Sequence, residues 1–193
     1  MAIACARGSA KGVLDEKRPP RHTGCGTEGG DMPAQANLTP VLTAREVNDL
    51  MASAFPQLNR DGDFYETIDV FPGGRIVRLN ADERHLRPGG TVSGPALFTL
   101  ADIGGYACVL SHAGPDALSV TVNLDINFMR KAEAGPIDGH CRILKLGKSL
   151  MVFDIDIVAG PDRHTVAHAT GTYSIPPRRG HDQYETKTAG KTR

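Results

Sequence analysis

The sequence is poor in aromatic residues and in cysteine. It contains no tryptophan, and aromatic residues make up 5% of its 193 positions. Its four cysteines, Cys5, Cys25, Cys108 and Cys141, show no CxxC spacing. This pattern argues against a structural zinc site and against a disulfide framework, and it is typical of a protein in a reducing compartment. We therefore expect the protein in the cytoplasm.

The sequence also lacks an excess of charge of either sign. The 22 Lys and Arg residues balance the 22 Asp and Glu residues, so net charge gives no reason to expect nucleic acid or a membrane as a partner. Residues that bind metals do not cluster at ligand spacing, so we expect no metal or other cofactor. The N-terminal residues MAIACARGSAKGV lack the apolar run of a signal peptide, and none is expected.

One domain is predicted, between two segments with little to bury. Residues 1–37 mix glycine, proline and charge without a period, which predicts a disordered N-terminal extension. Residues 38–176 alternate between periodic segments and turns, and this length suits a single domain. Residues 177–193 are polar, so we expect a disordered C-terminal tail.

The most distinctive segment runs from His85 to His112. Its first half is a loop rich in glycine and proline, and its second half predicts a buried helix with Ser93 as N-cap and Pro95 in the first turn. From residue 95 to residue 111 the only charged side chain is that of Asp102. A lone carboxylate in so apolar a helix is costly unless it is paired, hydrogen-bonded or functional. Asp102 is therefore either a functional residue or a structural carboxylate bonded to backbone groups.

The remaining elements predict the fold class. A capping box of Thr43 and Glu46 predicts an amphipathic helix that ends near Pro56. Alternating apolar residues predict a hairpin and then a four-stranded meander, with strands at 64–70, 75–79, 118–130, 137–146, 150–159 and 164–175. The class is thus α+β, with an antiparallel sheet wrapped around a long central helix. Because such a sheet has free edges, we expect a homodimer or a dimer of dimers, that is, a homotetramer.

The order of elements and the segment GGTVSGPALFTLAD resemble the hotdog fold. Within that fold, residues 43–175 resemble the acyl-CoA thioesterases of the phenylacetic-acid-degradation type, which are related to 4-hydroxybenzoyl-CoA thioesterase. The segments NFMRKAEAG and LKLGKSL support the likeness. Relatives carry an HxNxxGxxHGG loop before a helix that contains LxD. The matching residues here are His85, Arg87, Gly90, Ser93, Gly94 and Pro95, followed by Leu100 and Asp102.

The resemblance implies catalytic roles for three residues. Asp102 would be the base or nucleophile, the Gly94 N–H would stabilise the oxyanion, and Thr121 would help hold the water. The loop and the acid of one site come from opposite subunits in related enzymes. Each residue also has a simpler interpretation: Gly94 as a packing or turn glycine, and Thr121 as an ordinary strand residue.

A further four residues are predicted to bind the substrate. His85 would orient the loop or contact the substrate, and Ser93 stands where relatives have a histidine. Arg130 and Lys148 would pair with the phosphates of coenzyme A, with Lys131 and Arg142 as further candidates. All four cations are also consistent with solvated charge at strand ends.

Two other classes of protein remain open at this point. A hotdog enoyl-CoA hydratase or dehydratase would use a histidine with an acid, such as His85 with Asp102, but the Phe-Pro context typical of dehydratases is replaced by Leu86-Arg87. A non-catalytic acyl-CoA binding domain would keep the groove and lose the acid or the oxyanion donor. The presence of Asp102 argues against the binding domain, whereas Arg87, Ser93 and Pro95 in the loop keep it open.

Overall fold

The computed structural model describes residues 38–115 and 118–177, all within one compact unit. The predicted N-terminal extension, 1–37, and residues 178–193 of the predicted tail lie outside the described residues.

The first helix, α1, spans Ala44–Ala54 and begins at the predicted capping box. The Glu46 N–H donates to Thr43 Oγ1 at 3.3 Å, and the Thr43 N–H donates to Glu46 Oε2 at 2.8 Å. Two orphan N–H groups of the first turn are thereby satisfied. The helix packs on the sheet through Val47 and Met51.

The described residues contain a second helix and eight strands. The long helix, α2, spans Gly94–Ala113, with Ser93 as N-cap, as predicted. A 3₁₀ turn at Glu83–His85 precedes it, followed by a short hairpin of two strands with two residues each, which the sequence did not predict. The strands are β1 (Tyr65–Phe71), β2 (Gly74–Ala81), β3 (Leu86–Arg87), β4 (Thr91–Val92), β5 (Val120–Phe128), β6 (Gly135–Leu146), β7 (Leu150–Ala159) and β8 (His164–Ser174).

The six long strands form one antiparallel sheet in the order β1-β2-β6-β7-β8-β5. The predicted fold class is confirmed, but the predicted four-stranded meander is wrong for β5. Strand β6 pairs with β2 on one side and β7 on the other, so β5 pairs with β8 at the far edge. The connection from β5 to β6 crosses the end of the sheet, where the Ala132 carbonyl accepts the Val92 N–H at 2.8 Å.

Glycines let α2 lie close to the inner face of the sheet. A Cβ on Gly104 would lie 2.6 Å from Ile155 Cδ1, and a Cβ on Gly139 would lie 2.7 Å from the same atom. Since an interior atom needs more room than that, a side chain at either position would have to displace the end of Ile155. By length and composition α2 could cross a membrane, yet 72% of its most apolar stretch is buried in the fold. Among the described residues it is a core helix.

Candidate active site

Asp102 lies half-buried on α2, beside the edge of the sheet formed by β8 and β5. Two hydroxyl groups donate to the same carboxylate oxygen, Oδ1: Thr121 Oγ1 at 2.7 Å and the Tyr173 O–H at 2.6 Å. Within the described part of the chain, no donor reaches the second oxygen, Oδ2. One oxygen is therefore anchored by the protein, and the other can receive a proton from a water molecule or attack a substrate.

The two donors are direct neighbours across the β5–β8 ladder. Thr121 pairs with Tyr173, and the β5 register shifts immediately afterwards, between Thr121 and Asn123. The local irregularity is typical of strands that aim a side chain at a site. The Tyr173 hydroxyl also lies 2.9 Å from the backbone carbonyl oxygen of Asp102. This phenol holds both the side chain and the backbone of the acid.

Sequence reasoning did not identify Tyr173. It belongs to the inward-facing series of β8, and its ring is 2% exposed. Burial, together with the hydrogen bond to Asp102, raises the pKa of Tyr173 far above its usual value, so the phenol keeps its proton. A signal was present: a buried tyrosine needs a partner for its hydroxyl, and Asp102 needed a donor.

Gly94 is the first residue of α2, and its N–H has no acceptor among the described residues. Amides in the first turn of a helix lack an intrahelical partner, and the helix dipole favours negative charge beside them. A Cβ at Gly94 would lie 3.4 Å from Phe128 Cζ. The amide thus lies next to an exposed aromatic ring at the end of β5.

A groove of about 360 Å³ opens beside Gly94. Its floor is apolar, and three cationic side chains stand at its rim. No ion pair links Arg87, Arg130 or Lys131 to an acidic side chain within residues 38–115 and 118–177. The lining residues are Arg87, Thr91, Val92, Gly94, Leu97, Phe128, Met129, Arg130 and Lys131.

The predicted loop residues hold the start of α2. The His85 carbonyl accepts the Ser93 N–H at 2.8 Å, and Ser93 Oγ accepts the Ala96 N–H at 3.4 Å. The His85 ring packs edge-on to Phe64, with centroids 4.9 Å apart, and its Nδ1 lies 3.0 Å from Asp82 Oδ1. These contacts position the loop, and a role for His85 and Ser93 in binding substrate stays a prediction.

The remaining predicted cations lie elsewhere. Lys148 is exposed in the turn between β6 and β7, next to the end of the sheet that carries Thr121 and Tyr173. Arg142 forms a two-point ion pair with Asp154, at 3.0 and 2.6 Å. Arg142 is therefore less suited to a phosphate than the rim cations of the groove.

Gly94 and Asp102 do not meet within one chain. They are separated by eight residues of continuous helix, which corresponds to about 12 Å along the axis. Gly94 and Phe128 lie at one end of β5, whereas Asp102 and Thr121 lie at the other. Within one chain, the carboxylate of Asp102 and the unpaired amide of Gly94 therefore lie apart.

Comparison with known proteins identifies the family. The family model described as "Thioesterase superfamily" matches residues 89–166. A protein of Pseudomonas aeruginosa named "putative esterase" is 37% identical over 103 residues, covering 52% of this chain and 75% of that protein. A Saccharolobus solfataricus protein with the same kind of name is 31% identical over 140 residues, covering 72% of this chain and 89% of its own length. The chain belongs to the thioesterase superfamily.

Solved structures agree with this assignment. A crystal structure from Silicibacter sp. TM1040, named "putative thioesterase", shares 43% identity with a TM-score of 0.66, covering 74% of this chain and 97% of that one. A crystal structure from Ralstonia eutropha JMP134, named "putative thioesterase, phenylacetic acid degradation-related protein", shares 26% identity with a TM-score of 0.53, covering 57% of this chain and 84% of that one. The fold is the hotdog fold of these thioesterases, and the predicted family is confirmed.

Proposed function

We propose that this protein is an acyl-CoA thioesterase, which hydrolyses the thioester of an acyl- or aryl-CoA to the free acid and coenzyme A. The observation that carries the proposal is the Asp102 carboxylate, anchored through Oδ1 by Thr121 and Tyr173. A carboxylate fixed in this way is suited to deprotonating a water or attacking a carbonyl.

The chemistry uses one group at the N-terminus of α2 and one near its middle. As the thioester carbonyl is attacked, its oxygen becomes negatively charged, and the Gly94 N–H is an unpaired donor for that charge. Asp102 Oδ2 takes the proton of the attacking water, and the proton then passes to the leaving thiolate. If Oδ2 attacks directly, the C–S bond breaks, the thiolate of coenzyme A leaves, and water then cleaves the mixed anhydride to the free acid and the Asp102 carboxylate. Pro95 has no N–H and adds no second donor.

A complete site would require two subunits, because about 12 Å of helix separates Gly94 from Asp102 within one. The surface around β5 is suited to such an interface. Strand β5 ends the sheet, and along it Val120, Val122 and Phe128 are 60%, 60% and 53% exposed. Phe98, on the exposed side of α2, is 41% exposed. An open strand edge beside a large apolar surface favours pairing with a second copy.

In such a pair, the alignment of the two β5 strands would bring the two groups of one site together. In a twofold dimer the two β5 strands run antiparallel, and an axis near Leu124 places the start of one strand beside the end of the other. Thr121 would then lie next to Phe128 of the partner subunit. Since Phe128 packs beside Gly94, this arrangement brings Asp102 towards the Gly94 amide of the partner subunit.

The cationic groove is a candidate site for the nucleotide end of coenzyme A. Its rim carries Arg87, Arg130 and Lys131, and guanidinium groups pair strongly with phosphates. Lys148, in the turn between β6 and β7, lies at the end of the sheet that carries Thr121. It would approach the groove of the partner subunit in the same dimer.

Hydrolysis assays would test the function. The protein should release free thiol from a series of acyl-CoA and aryl-CoA substrates, with enoyl-CoA hydration measured on the same preparation. Hydration without hydrolysis would assign the site to the hydratase class, and acyl-CoA binding without turnover would show a binding domain. Since no set of three metal-binding side chains occurs among the described residues, hydrolysis should survive treatment with a chelator.

A further inference from the structure

The long helix α2 leaves one narrow face open to solvent. Most of its side chains are buried, among them Leu97 and Leu100 at 3% and 0% exposure. Phe98 lies between these two in the sequence, but it is 41% exposed, and no other large apolar side chain of α2 is exposed. An isolated exposed phenylalanine would need no explanation. Phe98, however, has a particular position relative to the two groups of the proposed site.

Phe98 lies halfway between Gly94 and Asp102, both along the helix and around it. It is four residues from each, which corresponds to about 6 Å along the helix axis and about 40° around it in either direction. The three residues therefore share one face of α2. Gly94 lies beside Phe128 at one end of β5, and Asp102 bonds Thr121 near the other end. This face of α2 is thus the one beside the open strand edge.

The symmetry of a dimer places Phe98 on the twofold axis. The inference rests on the proposed function, which requires Asp102 to approach the Gly94 amide of the partner subunit. A twofold axis that relates two antiparallel copies of α2 brings residues at equal distances on either side of the axis next to each other. Gly94 and Asp102 can meet in this way only when the axis passes through the point halfway between them. Residue 98 occupies that point.

We propose that Phe98 packs on Phe98 of the partner subunit at the twofold axis and sets the distance between the two α2 helices. A side chain on the axis meets its own copy, so one exposed ring supplies both sides of an apolar contact. Two packed aromatic rings keep a centroid separation of about 4.5–7 Å. Phe98 is then a positioning residue: the two rings fix the gap between Asp102 and the partner's Gly94 amide without touching the reacting atoms.

The side chains around Phe98 suit a contact between two identical helices. Asp102 is the only Asp, Glu, Lys or Arg residue of α2, and it lies about 6 Å from the proposed axis along the helix. The nearest polar side chain in sequence, Thr99, donates its hydroxyl to the Pro95 carbonyl within the same helix, at 2.9 Å. Neither residue therefore places a charge or an unpaired donor at the axis, where it would meet its own copy.

Cross-linking of cysteine variants tests the contact. In a chain with Cys5→Ser and Cys25→Ser, the two other cysteines, Cys108 and Cys141, are buried. Phe98→Cys in this background should give a covalent dimer with a short bismaleimide, which reaches between thiols that replace two touching rings. The matched control is Phe55→Cys. Phe55 is 39% exposed at the end of α1, beside β1 at the opposite edge of the sheet, and its variant should stay uncross-linked.

A pair of charge variants tests the axis itself. Phe98→Glu and Phe98→Lys should each raise the dissociation constant of the dimer about a hundredfold or more, because a charge on the axis faces a like charge. An equal mixture of the two should associate more tightly than either variant alone, since each Glu then faces a Lys. Sedimentation measures both effects. Phe55→Glu and Phe55→Lys should sediment like the parent, alone and mixed.

Steady-state kinetics tests the positioning role. At concentrations where sedimentation shows a complete dimer, Phe98→Ala should lower kcat about ten- to a hundredfold with KM little changed, because the reacting groups are no longer held at the right distance. Phe98→Met keeps a long apolar side chain and should lose clearly less. Loss of a merely stabilising contact would leave kcat unchanged once the dimer is complete, and that result would overturn the positioning role.

The outcomes separate this inference from the proposed function. No cross-link at position 98 in a protein that sediments as a dimer, or a mixture of the charge variants no tighter than its parts, would overturn the contact even if the protein hydrolyses acyl-CoA. A dimer that cross-links through position 98 but does not hydrolyse acyl-CoA would support the contact and contradict the proposed function. A monomeric protein would overturn both the contact and the shared site.

Discussion

At the scale of single residues, the notable feature of Asp102 is that its two oxygens differ. Oδ1 accepts two hydroxyl protons, whereas Oδ2 has no donor among the described residues. Hydrogen bonds to a charged oxygen fix the orientation of the group at a net gain of about 1.5–3 kcal/mol each. The protein thus orients the free oxygen before any substrate binds.

Replacing Asp102 with asparagine tests the base directly. The asparagine oxygen can still accept from Thr121 and Tyr173, so the fold should persist with an equal or higher melting temperature. Loss of a general base should lower kcat by about 10²–10⁴-fold, or about 3–5 kcal/mol of barrier, with KM little changed. A folded variant that hydrolyses acyl-CoA at the parent rate would exclude Asp102 from the mechanism.

The two donors can be compared in a double-mutant cycle. Tyr173→Phe and Thr121→Val each remove one hydroxyl and keep most of the side-chain volume. Each should lower kcat about ten- to a hundredfold, the loss of one hydrogen bond to a charged group. Because each remaining donor still holds Oδ1, the double variant should lose more than the product of the single effects. Effects that simply multiply would show that the hydroxyls act independently.

At the scale of elements, α2 positions the acid by its close contact with the sheet. A Cβ on Gly105 would clash with the Phe153 ring and lie 2.9 Å from Tyr173 Cε2. The neighbouring Gly104 meets the flexible end of Ile155 instead. The two glycines therefore differ in what surrounds them, although they share the same helix.

This difference gives a matched pair of variants. Gly105→Ala should destabilise the protein by about 1–3 kcal/mol through overpacking against rigid rings, and it should lower kcat because Tyr173 moves. Gly104→Ala gains the same helix propensity, about 1 kcal/mol, and displaces only a methyl group. Urea unfolding should rank Gly105→Ala as clearly less stable, and the reverse order would contradict this account of the packing.

The outer face of the sheet carries the ion pairs that respond to acid. Arg78 and Arg163 both bind the buried carboxylate of Asp138, at 2.7 and 3.0 Å. Burial alone would raise the pKa of Asp138, but the two cations lower it overall. A carboxyl group with a lowered pKa stabilises the fold above its unfolded-state pKa, about 4, and this contribution is lost as the pH falls further. Unfolding measured from pH 6 downwards should show the loss, and Asp138→Asn should weaken the pH dependence.

Local signals in the sequence predicted the elements but not their order in the sheet. The capping residues and the alternation of apolar residues predicted α1, α2 and the six long strands. Strand β5 pairs with β8 because β6 is already paired on both sides, with β2 and β7. The sequence of a single segment contains no information about this choice of partners. Asp102, Gly94 and Thr121 came from the resemblance to a family, whereas Tyr173 and the buried Arg75 depend on contacts across the sheet. A buried arginine in particular follows no local pattern, because its position is decided by the packing of distant elements.

At the scale of the whole molecule, the shared site can be tested by mixing inactive variants. Asp102→Asn removes the base and Gly94→Pro removes the amide proton. In a mixed dimer, one site would contain both defects and the other neither. After random mixing, about half of the dimers are mixed dimers. Each of these has one intact site out of two, so about a quarter of the parent activity should return.

As the control for this experiment, each variant alone is mixed with buffer and treated in the same way. Sedimentation should show a dimer or a dimer of dimers in every sample. Activity that stays at the level of the separate variants, in samples shown to contain mixed dimers, would place both groups of one site in the same subunit. A stable folded monomer at micromolar concentration would contradict the proposed interface itself.

The distance between Gly94 and Asp102 along α2 also has an evolutionary consequence. In the proposed dimer, a single gene would have to preserve both groups, because every copy of the chain would supply one half of each of two sites. After duplication and fusion of that gene, this constraint would relax: one half could lose its acid and the other its amide donor, and one complete site would survive. Divergence would then leave an enzyme with one working cleft and one vacant cleft free to acquire a different ligand.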